Sequence, residues 1–136
     1  MFRPAAILTG AFLVAASAAP QPRAAAPAHF TIILEHSAAT WSAECMTGCS
    51  TPWKASFTCA SARSCGARVD ALGIITLDNH RALDPKFSFT LHGTPDGITA
   101  KRLNGTAWRT LEWGCGFTPC RARITELDVE TLPPPS

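Results

Sequence analysis

The chain has 136 residues, with 12 Lys and Arg against 10 Asp and Glu, and six of its residues are cysteines. That length suits one domain. A net charge of +2 lacks the electrostatic footprint of a nucleic-acid binder or of a protein held on an anionic membrane.

Met1 to Arg3 is a short positive start, Ala5 to Ala16 is an apolar run broken by Thr9 and Gly10, and Ala16-Ser17-Ala18 is the small-x-small pattern of signal-peptidase cleavage. These features predict a bacterial-type secretory signal over residues 1–18. The run stops at Ser17, Pro20, Gln21 and Pro22, short of the about 20 apolar residues that a spanning helix needs, so no membrane insertion is expected after cleavage. Ala26-Pro27-Ala28 is a second small-x-small site. Residues 19–28 read as a flexible Ala/Pro leader and residues 133–136 as a disordered Pro tail, leaving one domain over residues 29–132 in an extracytoplasmic compartment, periplasmic or secreted.

Along that domain the apolar period is two. Phe30, Ile32 and Leu34 alternate with Thr31, Ile33 and Glu35, which predicts a strand with one apolar face. Trp41, Ala43 and Cys45 follow the same rule, and beyond the Thr47-Gly48 turn so do Trp53, Ala55, Phe57 and Cys59. Cys65, Ala67 and Val69 face one way and Arg68 and Asp70 the other, before Gly73 turns the chain into Ile74 to Leu77. Asp78 to Pro85 is a polar connecting loop. Phe87, Phe89 and Leu91 form the next strand, and Thr94-Pro95-Asp96-Gly97 is a turn that proline and glycine both favour. Asn104-Gly105 is expected to be a two-residue hairpin turn between Ile98–Leu103 and Thr106–Trp113. Cys120, Ala122 and Ile124 open a last strand whose parity changes before Leu127 and Val129, and a bulge near Thr125 or Glu126 is the expected cause.

Helical periodicity is missing throughout. About eight or nine short strands with regular turn signals predict an all-β fold, a small antiparallel β-sandwich, with an eight-stranded barrel as the alternative. A tryptophan precedes a glycine-containing cysteine pair twice, near Cys45–Cys49 and at Trp113, Cys115 and Cys120. We read this as one structural need met twice and not as a repeat.

In an exported domain the cysteines read as three disulfides. Local pairs Cys45–Cys49, Cys59–Cys65 and Cys115–Cys120 are expected from proximity and from the turn residues inside each. Loop closure does not select them, since each short loop is worth about 2 kcal/mol against about 4.5 for a bridge such as Cys45–Cys120, and fifteen connectivities are formally open. Zinc spacings are within reach of Cys-x3-Cys and Cys-x5-Cys, but oxidation makes disulfides the expected reading, with no metal and no cofactor.

The four tryptophans in a chain without tyrosine are the most function-like feature. Trp41 and Trp53 share parity with the cysteines and are assigned to the core. Trp108 falls on the opposite parity from Leu111 and Trp113, so one of these is expected to face outward, and Trp108 with Lys101 and Arg109 is the candidate contact surface. His29, His36, His80 and His92 read as solvated. Ser37 beside His36 lacks a nucleophile-elbow motif or an orienting carboxylate. Glu35, Glu44, Glu112 and Glu126 fit outward strand positions, and Asp78, Asn79 and Asp84 lack the spacing of a calcium loop. Arg121 and Arg123 read as a solvated strand face.

These observations point to an exported, non-catalytic binding module for a protein or a glycan. The alternatives are a periplasmic inhibitor of a secreted hydrolase, probing with the Asn104-Gly105 or Cys115–Cys120 loop, and a small hydrolase using His36, His80 or His92.

Overall fold

The computed structural model describes residues 26–134 except Pro95 and Phe117. The predicted signal, most of the leader and the end of the Pro tail lie outside the described residues. Among the described residues ten strands are found: β1 (Thr31–Ser37), β2 (Thr40–Thr47), β3 (Lys54–Thr58), β4 (Gly66–Asp70), β5 (Gly73–Thr76), β6 (Ser88–Thr94), β7 (Gly97–Asn104), β8 (Thr110–Gly114), β9 (Cys120–Thr125) and β10 (Val129–Leu132). A single 3-10 turn spans Ala62–Ser64. The strands form two antiparallel five-stranded sheets, ordered β10-β9-β1-β2-β3 and β5-β4-β6-β7-β8. Their edges do not close on one another, so the fold is the sandwich and not the barrel.

The expected pairs Cys45–Cys49, Cys59–Cys65 and Cys115–Cys120 are all bridged. The alternating apolar positions do what a period of two requires. Phe30, Ile32, Leu34, Trp41, Ala43, Cys45, Cys65, Ala67, Val69, Phe87, Phe89 and Leu91 are all buried between the sheets, while Trp53, Ala55, Phe57 and Cys59 pack half-buried on the edge strand β3.

The two halves share one topology. Exchanging β1 with β6, β2 with β7, β3 with β8, β4 with β9 and β5 with β10 turns one sheet order into the other. In each half the fourth and fifth strands leave their own three-stranded unit and complete the opposite sheet. The correspondence reaches single residues. Leu34 lies between Ala43 and Ala122, and Leu91 between Ala100 and Ala67, so a large side chain stands between two small ones in each sheet centre and the layers interdigitate. Phe30 and Phe87, leading into β1 and β6, stack across the sandwich with ring centroids 4.0 Å apart. Both chains of events end alike: Gly48 (φ 88°) and Gly105 (φ 78°) sit so close to the backbone of Phe30 and of Phe87 that a Cβ would collide. The tryptophan–cysteine echo in the sequence therefore marks the wrong pair, since the equivalent bridges are Cys59–Cys65 and Cys115–Cys120.

Three local expectations are corrected. No two-residue hairpin forms at Asn104-Gly105: the β7–β8 ladder closes at Lys101 and Thr110, Asn104 returns to pair with Ser88, and residues 105–109 leave the sheet so that Thr106 and Trp108 turn inward. The parity change after Ile124 is a chain reversal at Glu126–Asp128 and not a bulge, because Val129 folds back to pair with Ile124. The irregularities in register sit instead at Thr31/Ile32 and Ser88/Phe89, equivalent sites at the start of β1 and β6.

The third concerns two carboxylates assigned to outward positions. Asp70 is fully buried at the end of β4, and Glu126, one position beyond the residue equivalent to Asp70 (Thr125), is 8 % exposed just after β9. Asp70 accepts the backbone N–H groups of Leu72, Gly73 and Asp84 and a two-nitrogen contact from Arg81 at 2.9 and 3.1 Å. Glu126 accepts the Phe30 N–H at 3.0 Å and bonds His29 Nδ1 at 2.8 Å. Burial by itself raises the pKa of each group. For Asp70 the hydrogen bonds from Arg81, Asp84 and Leu72 together with the Arg81 charge outweigh it, and for Glu126 those from Phe30 and His29 do, so both pKa values lie below the ordinary range. A depressed carboxylate contributes stability above its unfolded pKa and loses it as pH falls through the folded one. Asp70→Asn is accordingly expected to lower stability at pH 7 by about 2–4 kcal/mol and to flatten the loss of thermal stability that the wild type shows below about pH 4. An unchanged melting temperature and acid profile would contradict this role.

Candidate functional site

Strands β1 and β6 run in the same direction, and where they end the sandwich opens into a cleft of about 500 Å³ lined by residues of both halves, among them His36, Ser37, Ala38, Arg63, Thr94 and Thr118. Its position follows from the fold. The β1–β2 turn and the β6–β7 turn form two sides, the loop closed by Cys59–Cys65 supplies Ala62 and Arg63, and the loop closed by Cys115–Cys120 supplies Thr118. Ala38, in the two-residue turn between the paired Ser37 and Thr40, has a φ of 50°, a left-handed conformation that alanine seldom adopts and that so tight a hairpin requires.

His36 is the chemically distinct residue of the cleft. Its ring stacks on Trp41 with centroids 3.7 Å apart, and its Nδ1 lies 3.1 Å from the Thr40 carbonyl oxygen. Because a carbonyl only accepts, Nδ1 carries the proton and Nε2 of the neutral ring is an acceptor. Burial lowers the pKa of this histidine below its ordinary value, with the Thr40 hydrogen bond opposing it in part. The position in β6 equivalent to His36 is Gly93, and a Cβ there would stand 2.7 Å from His36 Nε2. One half thus supplies an imidazole, and the other supplies the space for it.

Sequence reasoning placed His36 among solvated histidines. The structure half-buries it, because its strand position is covered by Trp41 and by the opposite sheet. His80 and His92 are exposed, and His29 holds Glu126. Trp108 is 8 % exposed, its ring edge packs on Phe89, and its indole N–H donates to the Thr125 carbonyl at 2.9 Å. It is a core residue, and the expected outward aromatic does not exist at this position. Trp113 is equally buried, so neither of the two faces out, because the departure of residues 105–109 from the sheet resets the alternation between them. Lys101 and Arg109 are exposed while Trp108 is buried, so the three do not form one contact surface. Trp53 donates to the Ala71 carbonyl, so it and Trp108 each tie one sheet to the other.

Other charged groups are engaged elsewhere. Arg121 pairs with Glu35 at 2.8 Å and Arg123 with Glu130 at 2.7 Å on the outer sheet face. Asn79 and Asp84 accept N–H groups of their own loop. Among the described residues no group of three or more His, Cys, Asp or Glu side chains is placed to hold a metal ion. Comparison of the chain with protein-family models, curated proteins and solved structures finds no match.

The geometry of His36 predicts a titration midpoint below the ordinary value of about 6.5, read by NMR of the ring protons. A lowered histidine pKa means that the unfolded chain binds the proton more readily, so this group weakens the fold as pH drops through about 6.5 towards the folded midpoint. Gly93→Ala is expected to displace the ring and move the midpoint back towards the ordinary value. A wild-type midpoint at or above that value would contradict the described packing.

Proposed function

We propose that the protein is a non-catalytic binding module that takes a segment of a glycan or protein in the cleft between the two disulfide-closed loops. The observation that supports this most is the state of His36: a neutral imidazole with one nitrogen committed to the backbone and the other without a partner among the described residues, in a cleft whose size falls in the range of ligand pockets. Among the described residues no carboxylate orients the ring and no side-chain hydroxyl is hydrogen-bonded to it, so the relay that activates a nucleophile is not assembled around it there. Rigid walls favour recognition, because two cystine bridges hold loops that would otherwise lose entropy on binding. Three disulfides are compatible with an oxidising, extracytoplasmic compartment.

The inhibitor reading draws less support. A protruding hairpin at Asn104-Gly105 would serve as an inserted probe, but Gly105 is packed against Lys86 and Phe87 and the Asn104 side chain donates to the Pro85 carbonyl.

The test is a screen of isotope-labelled protein against short oligosaccharides and peptides by amide-shift NMR. Hits are expected to move the amides of His36, Gly93, Thr94 and Thr118, to weaken in His36→Ala, and to be recovered chemically unchanged. Hits that map only to other surfaces would overturn the cleft as the site. A probe cleaved by the wild type and spared by His36→Ala would establish the hydrolase instead.

A further inference from the structure

The lining of the cleft carries information about what it accepts. Among the described lining residues Arg63 is the only one with a fixed charge. It stands on the 3-10 turn whose first N–H groups are capped by Ser61, with Ser61 Oγ accepting the Arg63 N–H at 3.3 Å, and among the described residues its side chain makes no ion pair. Among the described arginines, Arg81, Arg121 and Arg123 are neutralised by Asp70, Glu35 and Glu130, whereas Arg63, like Arg68, Arg102 and Arg109, is in no ion pair. The cleft therefore has a cation without a counterion and, in the same lining, no carboxylate to repel an anion. The same lining holds His36 Nε2, an acceptor without a donor among the described residues, and the hydroxyls of Ser37, Thr94 and Thr118, of which Thr94 already binds the Gly97 backbone.

We infer that the cleft recognises an acidic sugar residue, a ring that bears one carboxylate together with neighbouring hydroxyls. The inference rests on the binding reading above and names its ligand class. The guanidinium of Arg63 offers paired N–H donors suited to a carboxylate. A hydroxyl next to that carboxylate donates to His36 Nε2, which in its Nδ1-protonated form can only accept. The remaining ring hydroxyls exchange hydrogen bonds with Ser37 and Thr118, groups that serve as donor or acceptor alike. A peptide C-terminus satisfies this lining less well. It brings a carboxylate and one flanking N–H, and leaves the hydroxyls of the wall without partners once water is excluded. A neutral sugar leaves Arg63 unmatched.

The experiment titrates the full mature domain with three probes of similar size: trigalacturonate, maltotriose and an acidic tripeptide, each followed by amide shifts and calorimetry. Trigalacturonate is expected to bind saturably at His36, Gly93, Thr94 and Thr118, with maltotriose and the peptide at least about tenfold weaker, the scale of one charge-assisted contact. Arg63→Gln, an exposed site on a short turn, is expected to remove that advantage by a similar factor, whereas Lys101→Gln on the sheet face leaves it unchanged. Equal binding of maltotriose in the cleft overturns the charge argument, and preferential binding of the peptide overturns the sugar. In both cases the cleft remains the binding site. Failure of trigalacturonate to perturb the cleft overturns the inference on its own, and the broader screen then decides separately whether the cleft binds anything.

Discussion

The carboxylates of Asp70 and Glu126 hold the two halves of this protein together. Each sits at the turn between the two strands that its half contributes to the opposite sheet, and each accepts an N–H from the segment leading into the other half's first strand: Asp84 ahead of β6 for Asp70, Phe30 ahead of β1 for Glu126. A sandwich built by exchanging hairpins gains from such fasteners, because the exchanged strands are tied to their own half only at one end, through the loops closed by Cys59–Cys65 and Cys115–Cys120. Hydrophobic burial alone is non-directional and does not specify which turn meets which lead-in. A buried carboxylate does, since each unpaired oxygen or amide left there would carry a desolvation penalty. The stacked Phe30 and Phe87 rings between the two fasteners then close the core at that end.

With one end locked by paired charges and rings, the other is free to differ between halves. The equivalence that pairs Leu34 with Leu91 and Ala43 with Ala100 in the core breaks down where β1 and β6 finish. There His36 faces Gly93, and the loop with Arg63 faces the loop with Thr118. Matching residues in the core preserve packing, while mismatched residues at the open end create a cavity and give it a polarity. The candidate site is thus a place where the internal symmetry fails, and its walls are held by the two bridges that the symmetry relates.

Much of the fold could be read from the residues. Period-two alternation located the strands, and turn residues inside Cys45–Cys49, Cys59–Cys65 and Cys115–Cys120 pointed to the local pairing. The misreadings share a cause: local pattern was trusted where long-range contacts decide. Asn104-Gly105 has the composition of a tight turn, yet Gly105 is required by the approach of the Phe87 backbone, 18 residues earlier in the chain. Asp70 and Glu126 look like outward strand positions until their amide donors arrive from Asp84 and Phe30. The common topology of the halves was hidden because few equivalent positions keep the same residue, and the recurring cysteines that drew notice were not the equivalent ones. His36 was beyond reach for the same reason. Its burial depends on Trp41 across the ladder and its room on Gly93 in the other sheet, and neither relation appears in a period or a motif.

Amide hydrogen exchange tests the fastening most directly. At neutral pH the Leu72, Gly73, Asp84 and Phe30 amides, all bound to one or other carboxylate, are expected to be protected to the level of the central strands, and their protection factors to fall together once acid protonates Asp70 and Glu126. Rapid exchange of these four amides at neutral pH, with β4 and β9 still protected, would contradict the claim that the two carboxylates hold the halves together.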